Sequence, residues 1–239
     1  MLLRSVGRAA RHRAPALQFH RNMFIQTEAT PNPESLKFLP GKAVLESGVR
    51  EFKSFREAQA SPLAKKLMQM EGVSSVFLAT DFLTVSKDPD ADWLTLKPLI
   101  FASLMDFYAA DEPVLAGDDD DVDSLMIQDD DSEVVQMIKE LLELRIRPSV
   151  QDDGGDIVFR GFDEEEGVVL LQMQGSCSGC PSSSVTLKAG IENMLMHYIP
   201  EVTEVRQFVE DDDPLEGFDG APVIRTSPKR GGDHPAASI

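Results

Sequence analysis

Two cysteines occur in the 239-residue sequence, and both lie in Gly175-Ser176-Cys177-Ser178-Gly179-Cys180-Pro181, spaced as C-x-x-C. Three chemistries use that spacing: dithiol–disulfide exchange, half of a zinc site, and iron–sulfur ligation. Ligand counting separates them. Tetrahedral zinc or a cubane cluster takes about four protein donors, and Cys177 and Cys180 supply two. His197 falls near the far end of the helix expected after the motif, about 25 Å along at 1.5 Å per residue, too far to join them. A metal would therefore draw its remaining ligands from a second molecule. Two copies of the motif facing across a two-fold axis give four thiolates, and a cluster held that way can be handed on when the pair opens.

The flanking residues suit such a half-site. A helix opening at Pro181 would place partial positive charge near the sulfurs and favour thiolates, while Gly175, Ser176, Ser178 and Gly179 keep the approach of backbone N–H groups unobstructed. Two alternatives stay open on residues alone. One is a thiol–disulfide oxidoreductase, since thioredoxin-like proteins also put C-x-x-C between strand and helix; here, however, the motif follows a hairpin late in the chain. The other is an adaptor with an inert pair, which leaves the flanking glycines and serines without a purpose.

The elements that position the pair follow from periodicity. Ser132 is an N-cap for a helix with Val134, Val135, Ile138, Leu141, Leu142 and Leu144 on one face, ended by Pro148. Asp152-Asp153-Gly154-Gly155-Asp156 reads as a turn, its carboxylates explained by turn chemistry rather than by a cation. Residues 157–162 and 167–173 form a hairpin whose second strand delivers the cysteines. Leu187, Ile191, Leu195 and Tyr198 mark the following helix, and residues 202–209 a last strand, giving the order α-β-β-α-β.

An earlier unit begins near Met23. Residues 23–27 and 36–39 read as strands around the turn cluster Thr30-Pro31-Asn32-Pro33, with short strands near Val44-Leu45 and at residues 51–55. A helix opens at Ser61-Pro62, residues 73–79 and 82–86 form a hairpin, and Trp93, Leu96, Ile100, Leu104 and Phe107 stripe a final helix containing Pro98. No grouping of His, Cys or carboxylates there suggests chemistry, so a role in contacts or folding is expected. The fold class is α+β, two small domains joined by an acidic linker. The divisions expected are a transit peptide over 1–22, a first domain over 23–112, the linker over 113–131, the cysteine-bearing domain over 132–209 and a disordered tail over 210–239. The linker's aspartate runs, 118–121 and 129–131, should repel one another and keep it extended and solvated.

Composition narrows the partners. A formal net charge of −18 argues against nucleic acid, which is held by clustered Lys and Arg. No apolar run approaches the roughly 18 residues of a membrane span. Arg4, Arg8, Arg11, Arg13 and Arg21 precede the first acidic residue, Glu28, in an amphipathic segment of mitochondrial transit type.

With these residues in view, the chain resembles the mitochondrial NifU-like (Nfu-type) iron–sulfur cluster scaffolds or carriers. The resemblance rests on Met23-Phe24-Ile25-Gln26-Thr27, Thr30-Pro31-Asn32-Pro33 and Ser35-Leu36-Lys37-Phe38, then Ile146-Arg147-Pro148, Asp153-Gly154-Gly155-Asp156, and Gly175 through Ser183. It implies an N-terminal Nfu domain, a C-terminal NifU-like domain with Cys177 and Cys180 as iron ligands, and one 4Fe-4S cluster bridging a homodimer. It also implies a non-enzymatic protein of the mitochondrial matrix that meets iron–sulfur assembly factors and delivers clusters to apo-protein acceptors such as lipoyl synthase and respiratory complex subunits.

Overall fold

The computed structural model describes residues 24–117, 123–178 and 181–208. The transit segment and the tail expected from the sequence lie outside the described residues.

The first unit is a five-stranded antiparallel sheet in the order β1-β2-β5-β4-β3, formed by Gln26–Ala29 (β1), Ser35–Leu39 (β2), Arg50–Phe52 (β3), Val73–Leu78 (β4) and Leu83–Lys87 (β5). Val44 and Leu45 are buried in its core without forming a strand. Strand period two sends Phe38, Phe52, Val76, Leu78 and Val85 to one face, which is covered by helices Pro62–Met68 (α1) and Trp93–Ala110 (α2). Of the stripe expected in α2, Leu96, Ile100, Leu104 and Phe107 are buried against the core, while Trp93 is only partly buried. Asp92 caps this helix by accepting from the Leu94 N–H. Pro98 falls on the exposed side, where Leu94 is 84% exposed, so water can reach the carbonyl that loses its helical partner. The other sheet face carries Lys37, Glu51, Phe77 and Thr84 at the alternating positions, and all four are largely buried without any helix of this unit covering them.

The second unit has the α-β-β-α-β order, with its core on one side of a three-stranded sheet. Ser132 caps Glu133–Leu141 (α3) through the Val135 N–H. Pro148 does not end the helix, contrary to the sequence reading. A π-helical turn at Leu142–Ile146 widens the winding, and the chain re-enters α-helix at Arg147–Asp152 (α4), with Pro148 in the opening turn where a missing N–H is tolerated. Gly155–Asp163 (β6) pairs antiparallel with Val168–Gly175 (β7). Pro181–Tyr198 (α5) then crosses over to Glu204–Gln207 (β8), which runs parallel to β7.

The acidic segment differs from the extended, solvated spacer expected of it. Val114 and Leu115 pack against the first core, and the Ala116 N–H reaches the Ala60 carbonyl at 2.8 Å. Beyond the undescribed residues 118–122, Leu125 is 4% exposed inside the second core, and Ser124 Oγ accepts from the Phe159 N–H. Asp123 accepts from both terminal nitrogens of Arg147, at 2.6 and 2.8 Å, and Asp131 pairs with Lys139 at 2.6 Å. At Asp123 and Asp131 the segment is held by two buried cations, Arg147 and Lys139, while Asp129 and Asp130 stay exposed.

Burial alone would raise the Asp123 carboxyl, but the Arg147 hydrogen bonds, the Leu125 N–H and the attraction of Arg147 outweigh it and hold it below the usual carboxylate range. Its stabilisation is present above its ordinary pKa of about 4 and is lost as pH falls through the depressed value. Asp123→Asn should therefore lower the stability of the second unit by about 2 kcal/mol in urea unfolding at pH 7, with the deficit shrinking below about pH 4. An unchanged unfolding midpoint at pH 7 would show the segment to be a spacer after all.

Candidate metal centre

Cys177 lies at the corner where β7 stops and α5 starts, as expected; Cys180 lies outside the described residues. The Cys177 side chain is 4% exposed and packs with the second core. Two glycine turns hold it. At the start of β6, Gly154 has φ +83°, and at the end of β7, Gly175 has φ +67°, left-handed values that side chains strain to adopt. These glycines are brought together because Gly155 and Gly175 are partners in the β6–β7 register.

The fit is close. A Cβ on Gly155 would stand 2.5 Å from the Gln174 carbonyl and 2.8 Å from Cys177 Sγ, so the sulfur occupies space that only glycine leaves. Ser176 fastens the two turns: its hydroxyl donates to the Asp153 carbonyl at 2.5 Å and its N–H to the Gly154 carbonyl at 3.3 Å. The Ser178 N–H closes the cysteine turn on the Gly175 carbonyl at 3.2 Å. Asp156, fully buried, accepts from Arg147 Nε at 3.1 Å and from Gln151, which ties the glycine turn to the preceding helix. Its carboxylate serves as a brace, in keeping with the turn reading of Asp-Gly-Gly-Asp.

The sequence reading did not foresee the contribution of the first unit. Glu51, on the uncovered face of its sheet, accepts at Oε1 from the Gly175 N–H at 3.0 Å and from Ser178 Oγ at 3.1 Å. Its Oε2 forms an ion pair with Lys53 Nζ at 3.3 Å. Burial pushes the Glu51 carboxyl above its ordinary range, against the pull of Lys53 and the Gly175 N–H. Thr84 Oγ1 donates to the Gly154 carbonyl at 2.6 Å, and Asn32 Nδ2 to the Ser176 carbonyl at 3.3 Å. The signal was present in the strand alternation: Glu51 beside Phe52, Thr84 beside Val85 and Lys37 beside Phe38 place polar groups on a face that a lone domain would leave to solvent.

Chemically, the corner presents a small-side-chain turn carrying Cys177 four residues ahead of the first residue of an 18-residue helix. Among the described residues no group of three or more His, Cys, Asp or Glu is gathered in a metal-holding arrangement. His197 is in the last turn of α5, exposed, its ring edge-on to Tyr198. No described helix is long and apolar enough to cross a membrane.

Comparison with known proteins gives matches to two family models, "Scaffold protein Nfu/NifU N terminal" over residues 25–111 and "NifU-like domain" over residues 138–206. The chain is 56% identical over 208 residues to NifU-like protein 5, mitochondrial, of Arabidopsis thaliana, covering 87% of this chain and 75% of that protein. It is likewise 56% identical over 196 residues to the NFU1 iron-sulfur cluster scaffold homolog, mitochondrial, of Drosophila ananassae, covering 82% and 68%. An NMR structure of a NifU-like protein from Saccharomyces cerevisiae aligns at 30% identity with a TM-score of 0.39, over 47% of this chain and 100% of its own.

Gly155→Ala tests the packing of the corner. The added methyl meets backbone and sulfur inside contact distance, so the second unit should lose about 2–3 kcal/mol in chemical unfolding, with a shift in the amide resonances of residues 174–177. Full stability in this variant would mean that the sulfur is not wedged against β6.

Proposed function

The chain belongs to the Nfu/NifU scaffold family, and we propose that it is an iron–sulfur cluster scaffold or carrier that binds one 4Fe-4S cluster between two copies through Cys177 and Cys180. In this reading residues 132–209 carry the cluster, residues 23–112 form the Nfu domain and residues 1–22 direct import. Its localisation is mitochondrial, the compartment named for its relatives, and the matrix is the expected site.

The observation that supports cluster binding best is the seat of Cys177: a sulfur on a braced glycine turn four residues ahead of a helix, and half of the C-x-x-C pair in the sequence. Each thiol loses its proton as it takes an iron, so loading of a dimer releases up to four protons. Delivery is ligand exchange. A thiolate of the acceptor forms a new Fe–S bond as a bond to Cys177 or Cys180 breaks, and the departing sulfur takes up a proton, with no change in cluster oxidation state. The protein holds, orients and releases its cargo without catalysing a reaction, and its partners are the assembly factors that supply the cluster and the apo-proteins that take it. Lipoyl synthase and respiratory complex subunits are the acceptors implied by the family resemblance.

Anaerobic reconstitution with ferrous iron and sulfide, followed by Mössbauer spectroscopy and native mass measurement, should give four irons per two chains. Cys177→Ser and Cys180→Ser should each abolish the cluster while leaving the far-UV circular dichroism unchanged, because the backbone hydrogen bonds of β6 and β7 do not involve a thiol. A monomer that takes up no iron and instead cycles a Cys177–Cys180 disulfide would replace this reading with the oxidoreductase one.

A further inference from the structure

The first unit uses the outer face of its sheet on the turn that carries Cys177. Four contacts converge there from three strands and one loop: Glu51 on Gly175 and Ser178, Thr84 on Gly154, Asn32 on Ser176, and the Phe77 ring, 3.1 Å from where a Cβ of Gly175 would be. The side chains come from β3, β5, β4 and the β1–β2 loop, so the contact belongs to the face as a whole and not to one flexible arm. Lys37 extends it to the preceding turn, donating to the Gln151 carbonyl at 3.0 Å.

This arrangement conflicts with a loaded motif in two ways. The Gly175 N–H and the Ser178 hydroxyl, which lie within two residues of Cys177, already have an acceptor in Glu51 and are not free to turn toward a thiolate-bound cluster. A 4Fe-4S cluster with four thiolates also carries net negative charge, and the group pressed against this turn is a buried carboxylate whose ion-pair partner, Lys53 at 3.3 Å, is half exposed to water, so the cluster is disfavoured beside it. Two motifs can face one another around a cluster only if their turns are open to each other.

We infer that the first unit is a cap for the cysteine turn, its outer sheet face centred on Glu51 and Thr84, and that capping and cluster loading exclude one another. The inference rests on the scaffold reading for what displaces the cap, but the docking itself does not. Because the two equilibria are linked, whatever loads the cluster weakens the cap, and whatever weakens the cap favours loading to the same degree. An acceptor or donor that binds the outer sheet face would thereby expose the motif.

The test uses the full chain. Hydrogen exchange of the apo protein is followed in peptides covering residues 150–157 and 172–178 for wild type, Glu51→Ala and Thr84→Val, with α2 as a folding control. A cap that releases as a unit raises exchange in both peptides in either variant, by roughly tenfold, although Glu51 touches only the second and Thr84 only the first. Anaerobic cluster uptake should quicken by a similar factor. Exchange confined to the peptide each side chain touches, or uptake at the wild-type rate, would overturn the cap. If Glu51→Ala unfolds the first unit, the near-isosteric Thr84→Val carries the same comparison. If no form takes up iron, the scaffold reading fails and the loading half fails with it, while the exchange pattern still decides the docking.

Discussion

The sulfur of Cys177 sits in space that any side chain on Gly155 would fill, and that close approach governs how the corner is built. To bring β6 and β7 so near, the chain reverses through Gly154 and Gly175 in left-handed conformations, which leaves the carbonyls of Asp153, Gly154 and Ser176 pointing away from the sheet ladder. Buried backbone oxygens need donors. Ser176 supplies two from within the turn; Thr84 and Asn32 supply the others from a different domain. The hydrogen-bond accounting of one small turn thus reaches across the molecule and accounts for polar residues in strands of the first unit.

Arg147 plays the corresponding part on the other side of the glycine turn. It is 7% exposed and meets Asp123, Glu143 and Asp156, three carboxylates from the acidic segment, the π turn and β6. A guanidinium presents five N–H donors in a fixed fork, so one residue can tie three chain segments together where lysine could not. Truncating it would leave Asp156 buried with only Gln151 and the Ile157 N–H as donors. In a chain with 41 acidic and 23 basic residues, buried cations such as Arg147 and Lys139 set where acidic residues can pack.

Much of this was legible in the sequence. The α-β-β-α-β order, the Ser132 cap, the α2 stripe and the strand-to-helix corner follow from periodicity and local side-chain chemistry, and each stands where local rules put it. The failures share a cause. Pro148 is a helix breaker by local rules, yet a π turn upstream absorbs it; that depends on how Leu142 and Ile146 enter the core. Asp123 and Asp131 look solvated until Arg147 and Lys139, 24 and 8 residues farther on, are seen to face them, whereas Asp129 and Asp130 are exposed as expected. Glu51 reads as an ordinary strand carboxylate, and nothing near it in sequence announces Gly175, which lies 124 residues away. Local signals report local partners, and the site's dependence on the first unit is carried by contacts of long range.

The choice of a carboxylate at the centre of the domain contact bears on how firmly the contact holds. Burying Glu51 costs several kcal/mol in lost hydration. What it receives in return is one N–H, one hydroxyl that also bonds its own turn, and a lysine 3.3 Å away whose side chain is 47% exposed. The apolar part of the face, Phe77 and Phe82 with Ala79, is small. Such a contact nets little, in the manner of interfaces between domains that move. An apolar residue at position 51 would bind the turn more durably but would leave the Gly175 N–H buried without an acceptor; glutamate satisfies the donor and keeps the joint weak. Weakness is what the corner requires if Cys177 is to be sheltered when empty and released when a second motif, with a cluster between them, competes for the same face.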